Sequence, residues 1–174
     1  MPQLIKNGAV VDDSWTLVRE IASIADLPSS NVIVPLAFWL DAHEQLRGRS
    51  DVGVWLAPAD DPSLLANDTS TTPLIAVDFP KFADGRGYSI GRLLRERYAY
   101  KGELRAVGDI ARDQLYFLYQ VGFDAFLIRD GKDAQDALRS LRDFSDGYQL
   151  TNRRTPWFRR SGSKVPVAAG GTPS

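Results

Sequence analysis

The chain has 174 residues, a formal net charge of −1, one histidine and no cysteine. This length suits one domain with a single hydrophobic core that needs no disulfide bonds. The lack of cysteine excludes disulfides, thiolate-ligated iron–sulfur clusters and a thiol nucleophile, and a single histidine excludes the common zinc ligand sets.

The apolar runs are too short to span a bilayer, and no basic segment precedes a long apolar core near the start of the sequence. We therefore expect a cytoplasmic protein without a membrane partner. Residues 1–78 hold four Lys or Arg against eleven Asp or Glu, whereas residues 151–174 hold five basic residues and no acidic one. A local basic surplus suits an anionic protein partner, while nucleic-acid binding usually needs a broad basic face. The charge pattern argues against a nucleic-acid partner.

Two local patterns open the chain. Asn7-Gly8 stands between apolar pairs within residues 4–11, which predicts a hairpin with a type I′ turn. Asp13 or Ser14 is then expected to cap a helix that ends before Pro28. Its predicted apolar face consists of Trp15, Val18, Ile21, Ala22 and Ala25.

Short apolar runs alternate with helical patterns from residue 30 onward. Five runs are typical of buried strands, near residues 32–35, 52–56, 74–78, 104–107 and 123–128. This alternation predicts an α/β fold with a mostly parallel five-stranded sheet and right-handed crossovers. We favour an open doubly wound sheet. The alternative is a partial TIM-like barrel, since a complete barrel takes about 250 residues.

The predicted crossovers are a helix from Pro35 to Gly48, a helical turn at Leu64-Leu65 and three longer helices. The first of these three begins near Ser89, the second is capped by Asp109, and the third spans residues 132–144. His43 is expected to be a half-exposed helix residue rather than a catalytic one. The single domain is predicted over residues 1–150, with the hairpin and helix at 1–28 and the alternating core at 30–146.

A basic and aromatic tail is predicted at 151–174, and its composition indicates disorder from Ser161 onward. Aromatic and arginine side chains are common interface anchors. The residues predicted to bind an acidic partner or a second copy of the chain are Arg153, Arg154, Trp157, Phe158 and Arg159. A loosely attached tail without a partner is the alternative.

Ligands of a parallel sheet sit at the carboxyl ends of its strands. After the third strand, a glycine-rich loop leads into a helix, where free amides, flexible glycines and arginine favour binding of an oxyanion. The predicted anion-binding residues are Gly85, Arg86, Gly87, Ser89, Arg92 and Arg112. The alternative is that Asp84 and Ser89 cap the helix and the glycines only turn the chain. The glycine spacing is one residue off the dinucleotide fingerprint, which argues against nicotinamide or flavin; no cofactor and no metal are predicted.

No spacing in the chain dictates a reaction. Asp78 ends the third strand with Lys81 nearby, which makes the two residues candidates for general acid–base chemistry. Asp109 and Asp113 follow the next strand and are catalytic candidates by position alone. A helix cap at Asp109 and a solvated Arg112–Asp113 pair are the simpler interpretations.

Three segments resemble a bacterial family catalogued as domain of unknown function 934: FPKFADGRGYSIGRLLRER from Phe79, YKGELRAVGDIARDQL from Tyr100, and GFDAFLI from Gly122. The resemblance covers roughly residues 30–145. Members are typically encoded beside sulfite reductase and other sulfate-assimilation genes, and are often described as candidate oxidoreductases of sulfite reduction. The family has no established catalytic residues.

The resemblance implies an accessory protein of assimilatory sulfite reduction. Its implied partners are sulfite reductase or another sulfate-assimilation enzyme, together with a small oxyanion. Without cysteine, this chain cannot itself hold the iron–sulfur cluster that sulfite reductase uses. The alternatives are a stand-alone α/β enzyme acting on a small anionic metabolite and a non-catalytic interaction module. A homo-oligomer is a further alternative.

Overall fold

A computed structural model describes residues 3–81, 84–129 and 131–149 of the chain, with side chains described as far as Asp143. The eight strands are β1 (Gln3–Lys6), β2 (Ala9–Val11), β3 (Thr16–Leu17), β4 (Val32–Pro35), β5 (Val52–Leu56), β6 (Leu74–Phe79), β7 (Glu103–Gly108) and β8 (Ala125–Ile128). The α-helices are α1 (Leu36–Asp41), α2 (His43–Leu46), α3 (Arg86–Glu96), α4 (Leu115–Val121) and α5 (Ala134–Gln149). Short 3₁₀ helices lie at Ile24–Asp26, Pro62–Leu65 and Arg112–Gln114.

All eight strands belong to one sheet, in the order β2-β1-β8-β7-β6-β5-β4-β3. Strands β3 to β8 are parallel, whereas β1 pairs antiparallel with both β2 and β8. The α/β class is therefore confirmed, but the prediction of a five-stranded sheet with a separate hairpin is wrong. The hairpin extends the sheet because Ile5, which is buried, pairs with Phe126 of β8.

The parallel strands follow one another in sequence order, without the reversal that a doubly wound sheet requires. Right-handed crossovers between successive neighbours place their helices on the same face of the sheet. The preferred open doubly wound arrangement is thus wrong, and the sheet is a curled half-barrel with helices on its convex side.

The connection between β2 and β3 explains the curl. These strands form opposite edges of the sheet, yet only residues 12–15 join them. Five steps of extended chain cover at most about 18 Å, whereas the edges of a flat eight-stranded sheet would lie about 33 Å apart. The sheet must therefore bend until its edges come within reach of this link.

The same link overturns the predicted helix after Asp13 or Ser14. A helix rises about 1.5 Å per residue, less than half the rise of a strand, and would not bridge the two edges. The backbone instead runs extended, and β3 pairs with β4: the Thr16 amide donates to the Asn31 carbonyl at 2.9 Å and the Val18 amide donates to the Ile33 carbonyl at 3.0 Å. Only the 3₁₀ turn at Ile24–Asp26 is helical in this region.

Two apolar clusters flank the sheet. The larger one lies between the sheet and the helices and includes Val34, Val54, Val77, Leu94 and Phe123. The smaller cluster lies on the concave side, where Trp15, Leu17, Trp55 and Leu127 pack around Ile33, Leu74, Ala76 and Val107. The link and β3 thus cover part of the concave face.

Most predicted elements are confirmed, with shifted ends. The hairpin turn has Asn7 and Gly8 at φ values of 53° and 76°, as a type I′ turn requires. The helix predicted from Pro35 to Gly48 is interrupted at Ala42. Helix α3 begins at Arg86, not near Ser89, and α5 continues past Asp146-Gly147 to Gln149. No described helix is both long enough and apolar enough to cross a membrane. The tail at 151–174 lies outside the described residues.

Candidate functional site

The carboxyl ends of the parallel strands form one edge of the half-barrel. Asp78, Gly108 and Arg129 lie at or directly after the ends of β6, β7 and β8. Strand pairing brings the ends of β6 and β7 together. Phe79 lies opposite Gly108, and the Asp109 amide donates to the Phe79 carbonyl at 2.6 Å. This edge contains most of the predicted site residues.

Asp78 points to the concave face and binds Arg19, not its predicted partner Lys81. Arg19 Nη2 donates to Asp78 Oδ1 at 3.1 Å, and Nη1 lies 2.8 Å from Oδ2. The aspartate side chain is 10% exposed and the arginine side chain 51% exposed. Sequence analysis did not find Arg19, since 59 residues separate it from Asp78 and no local pattern connects the two.

The predicted anion loop contains an internal ion pair. Arg86 donates to Asp84 from Nε at 3.0 Å and from Nη2 at 2.7 Å, and its backbone amide donates to the same carboxylate at 3.1 Å. These bonds, and to a smaller degree the charge of Lys81, lower the pKa of Asp84 to about 2. Asp84 therefore caps α3 as a carboxylate, while Gly85 stands at the N-cap position without a side-chain contact.

The other predicted anion residues lie apart from this pair. Ser89 and Arg92 are exposed along α3, inside the helix rather than at its start. Arg112 is ion-paired with Asp136 of α5 at 2.6 Å, and its Nε lies 3.9 Å from Asp113. Asp113 itself is almost fully exposed.

A second feature of this edge is a cleft between the segments that follow β7 and β8. Its volume is about 330 Å³, and its lining is Ile110, Ala111, Arg112, Ile128, Lys132, Asp133, Asp136 and Ala137. Lys132 Nζ lies 3.4 Å from both the Asp109 carboxylate and the Ile110 carbonyl. Asp109 is thus an ion-pair partner of Lys132, and of Arg129 at 3.7 Å, rather than the predicted helix cap. The helical segment begins three residues later, at Arg112.

A family model described as "Bacterial protein of unknown function (DUF934)" matches residues 53–158. The chain belongs to this family. The chain has no significant match among curated proteins or among solved structures.

The DUF934 match includes β6, the Asp84–Arg86 loop, β7, β8 and the cleft between the last two strands. It also reaches Trp157-Phe158. Those two residues, and the predicted partner-binding residues Arg153, Arg154 and Arg159 around them, lie outside the described residues. Arg19, by contrast, precedes the matched region.

Two glycines of the DUF934 motif have a packing role. A Cβ atom on Gly87 would lie 2.5 Å from the Phe79 ring, and one on Gly91 would lie 2.4 Å from the Phe123 ring. Both glycines are buried, so they let α3 lie close against the sheet. The glycine spacing is thereby explained without a phosphate ligand.

The concave face holds a buried charge network that sequence analysis missed. Arg105 is 1% exposed and binds Asp13 at 2.9 Å and Glu103 at 2.7 Å, while Lys6 binds Glu103 at 2.6 Å. The network joins β1, β7 and the link before β3. Its charges are mutually satisfied, which makes it a structural cluster.

The single histidine, His43, also has local packing and polar partners. His43 packs edge-on against Trp39, with 4.7 Å between ring centroids, and its Nε2 lies 3.1 Å from Asp68 of the segment before β6. Within the described parts of the chain, no group of three or more His, Cys, Asp or Glu residues is arranged to hold a metal ion.

Proposed function

We propose that this DUF934 protein is an accessory protein of assimilatory sulfite reduction that binds a small oxyanion at the start of α3. The pathway is supported by the family's association with sulfite reductase genes. An accessory role fits a chain without cysteine, which has no thiolate ligands for the reductase cluster. The binding proposal rests on one observation: the Arg86 side chain donates two hydrogen bonds to the Asp84 carboxylate.

The Asp84 carboxylate is itself an oxyanion, and it occupies the position in which a ligand would bind. It accepts two hydrogen bonds from the planar fork of Arg86 and one from the backbone amide. Planar forks bind carboxylate and related oxyanions in two-point contacts, and the helix N-terminus adds a favourable dipole. Because Arg86 is 62% exposed, the internal pair is weak enough for a ligand to displace it.

A titration tests this site directly. We expect sulfite or sulfate to bind the wild-type protein, and Arg86→Ala to weaken binding by about ten- to a hundredfold, the effect of losing charged hydrogen bonds. Asp84→Asn should strengthen binding because it removes the competing carboxylate. Calorimetry on the three proteins measures the order of affinities. Equal affinities in all three, or no binding even by Asp84→Asn, would rule out the loop site.

The pathway needs a separate experiment. A strain lacking the gene should fail to grow on sulfate or sulfite as the sole sulfur source, and added cysteine should restore growth. Wild-type protein should complement the defect, and Arg86→Ala should complement it poorly. Normal growth of the deletion strain would reject the pathway even if the loop binds oxyanions.

The cleft after β7 and β8 supports a second candidate, a stand-alone enzyme acting on a small anionic metabolite. Half of its lining residues are apolar, and Lys132 is a cation of the lining, so the cleft suits an apolar body carrying one anionic group. Of the lining's carboxylates, Asp136 is paired with Arg112. Lys132→Met should abolish thermal stabilisation by such metabolites in a ligand panel, whereas Arg86→Ala should leave that stabilisation unchanged.

A further inference from the structure

The Arg19 side chain contacts Trp55 and Asp78 and is otherwise exposed to solvent. Its guanidinium carbon lies 5.0 Å from the centroid of the Trp55 ring, and its two terminal nitrogens bind the two oxygens of Asp78. The Trp55 indole donates in turn to the Val18 carbonyl at 2.9 Å, next to Arg19 in the chain. The guanidinium is therefore positioned by the Trp55 ring and the Asp78 carboxylate, and the ring is itself held by the Val18 carbonyl.

The way in which Asp78 binds leaves a second binding edge on Arg19. A guanidinium has five N–H donors. Asp78 accepts one hydrogen bond from Nη2 at 3.1 Å, and its other oxygen lies 2.8 Å from Nη1. Nε has no hydrogen-bond partner among the described residues, and Nη2, which donates to Asp78, carries a second hydrogen. Nε and that second hydrogen form one edge of the guanidinium. Such an edge matches the two oxygens of a carboxylate or a sulfur oxyanion.

Two other paired arginines, Arg105 and Arg86, differ in this respect. Arg105 binds two carboxylates with all three nitrogens and is buried. Arg86 uses its Nε and Nη2 edge for Asp84. Arg19 combines a fixed guanidinium, an open edge and 51% exposure. It stands over the carboxyl end of β6, the part of a parallel sheet where ligands usually bind.

We propose that Arg19 anchors a second oxyanion-binding site, on the concave side of the half-barrel, with Trp55 beneath the guanidinium and Asp78 behind it. The ligand class is a small carboxylate or sulfur oxyanion. This site goes beyond the proposed function, because it uses different residues from the Arg86 loop and does not depend on sulfite reduction.

The test uses the full-length chain with Arg86→Ala, so that the loop site does not contribute. Acetate, sulfate and sulfite are titrated calorimetrically against this protein and against the Arg86→Ala/Arg19→Lys double variant. Lysine keeps the positive charge beside Asp78 but lacks the second edge. We expect Arg86→Ala to retain binding of at least one of the three anions, and Arg19→Lys to weaken that binding about ten- to a hundredfold. Comparing acetate with the sulfur anions identifies the preferred ligand.

Arg139→Lys in the Arg86→Ala background is the matched control, because Arg139 forms an exposed pair with Asp136 on α5. It should leave the affinity unchanged. If Arg19→Lys melts early, an Arg19→Gln/Asp78→Asn pair replaces the ion pair with neutral hydrogen-bonding groups and must also lose binding. Unchanged affinity in either Arg19 variant, or no binding by Arg86→Ala, would overturn the site. Arg19 would then have only a structural role, holding the segment after β3 to Asp78. Binding lost in Arg86→Ala but present in wild type would still support the loop site.

Discussion

Arg105 and Arg86 both pair with aspartate, one inside the half-barrel and one at its surface. The Arg105 side chain is 1% exposed and lies between Asp13 and Glu103. Both carboxylates are also largely removed from water. Glu103 has Lys6 as a second partner, whereas the Asp13 carboxylate has Arg105 as its cation, so loss of the guanidinium costs Asp13 most. The Arg86–Asp84 pair is solvated, and water can replace either partner.

We predict that Arg105→Met destabilises the protein by about 3–5 kcal/mol, the usual cost of leaving buried charges without their partner. Urea unfolding followed by circular dichroism measures the change in free energy of unfolding. Arg86→Ala is the matched control and should shift the unfolding midpoint far less. If Arg105→Met left the free energy of unfolding unchanged, the desolvation cost of the network would cancel the attraction between its charges.

The ion pairs also differ in how far they could be predicted from the sequence. The Asp84–Arg86 contact joins residues two apart, and the sequence placed both in one loop. Arg105 and Asp13 are 92 residues apart, and Arg19 and Asp78 are 59 apart. Such pairs depend on which strands meet across the curled sheet, which local patterns do not determine.

At the scale of elements, α3 depends on its two buried glycines. Gly87 and Gly91 lie four residues apart, one turn of the helix, and face Phe79 and Phe123. These rings are buried, at 2% and 0% exposure. Alanine normally favours a helix over glycine, but here its methyl group would overlap with rings that have little room to move.

We predict that Gly91→Ala destabilises the protein by about 1–3 kcal/mol, the typical cost of overpacking a core. Gly85→Ala is the control: Gly85 is the N-cap of α3, at φ −78°, with no atom within 4 Å of its Cβ position, and the substitution should be neutral or slightly stabilising. Chemical unfolding compares the two. Phe123→Leu combined with Gly91→Ala should recover part of the loss, and a Gly91→Ala protein as stable as wild type would refute the packing role.

Element identity was predictable wherever local chemistry decides it. Asn7-Gly8 fixed the hairpin turn, and the apolar runs fixed β4 to β8. The segment around Trp15 and Val18 has helical spacing yet forms an extended edge, because its pairing with β4 outweighs local preference. Tertiary context overrides propensity most readily in such short segments.

The shape of the whole molecule depends on the N-terminal residues more than the sequence indicates. The alternation after residue 30 predicts parallel strands, but it gives no sign that β1 inserts between β2 and β8 or that residues 12–15 join the two edges. Both features come from long-range pairing. They convert an α/β sheet into a half-barrel and bring Arg19 over the carboxyl end of β6.

The last prediction concerns the region matched by the family model. A fragment of residues 53–158 lacks β1 to β4, half of the eight strands. Its β8 would lose the antiparallel partner β1, and β5 would lose β4, leaving two open sheet edges. We expect this fragment to show no cooperative unfolding transition and to aggregate, whereas a chain ending at Leu150 unfolds cooperatively.

Circular dichroism with urea, together with size-exclusion chromatography, distinguishes the two fragments. Residues 1–52, added in trans, should restore a cooperative transition if they supply the missing strands, since Ile5, Val32 and Trp39 bury their side chains in the shared core. An isolated 53–158 fragment that unfolds with the midpoint of the full chain would contradict this. In that case the matched region would be the folding unit, and β1 to β4 would be attached to a sheet that is stable without them.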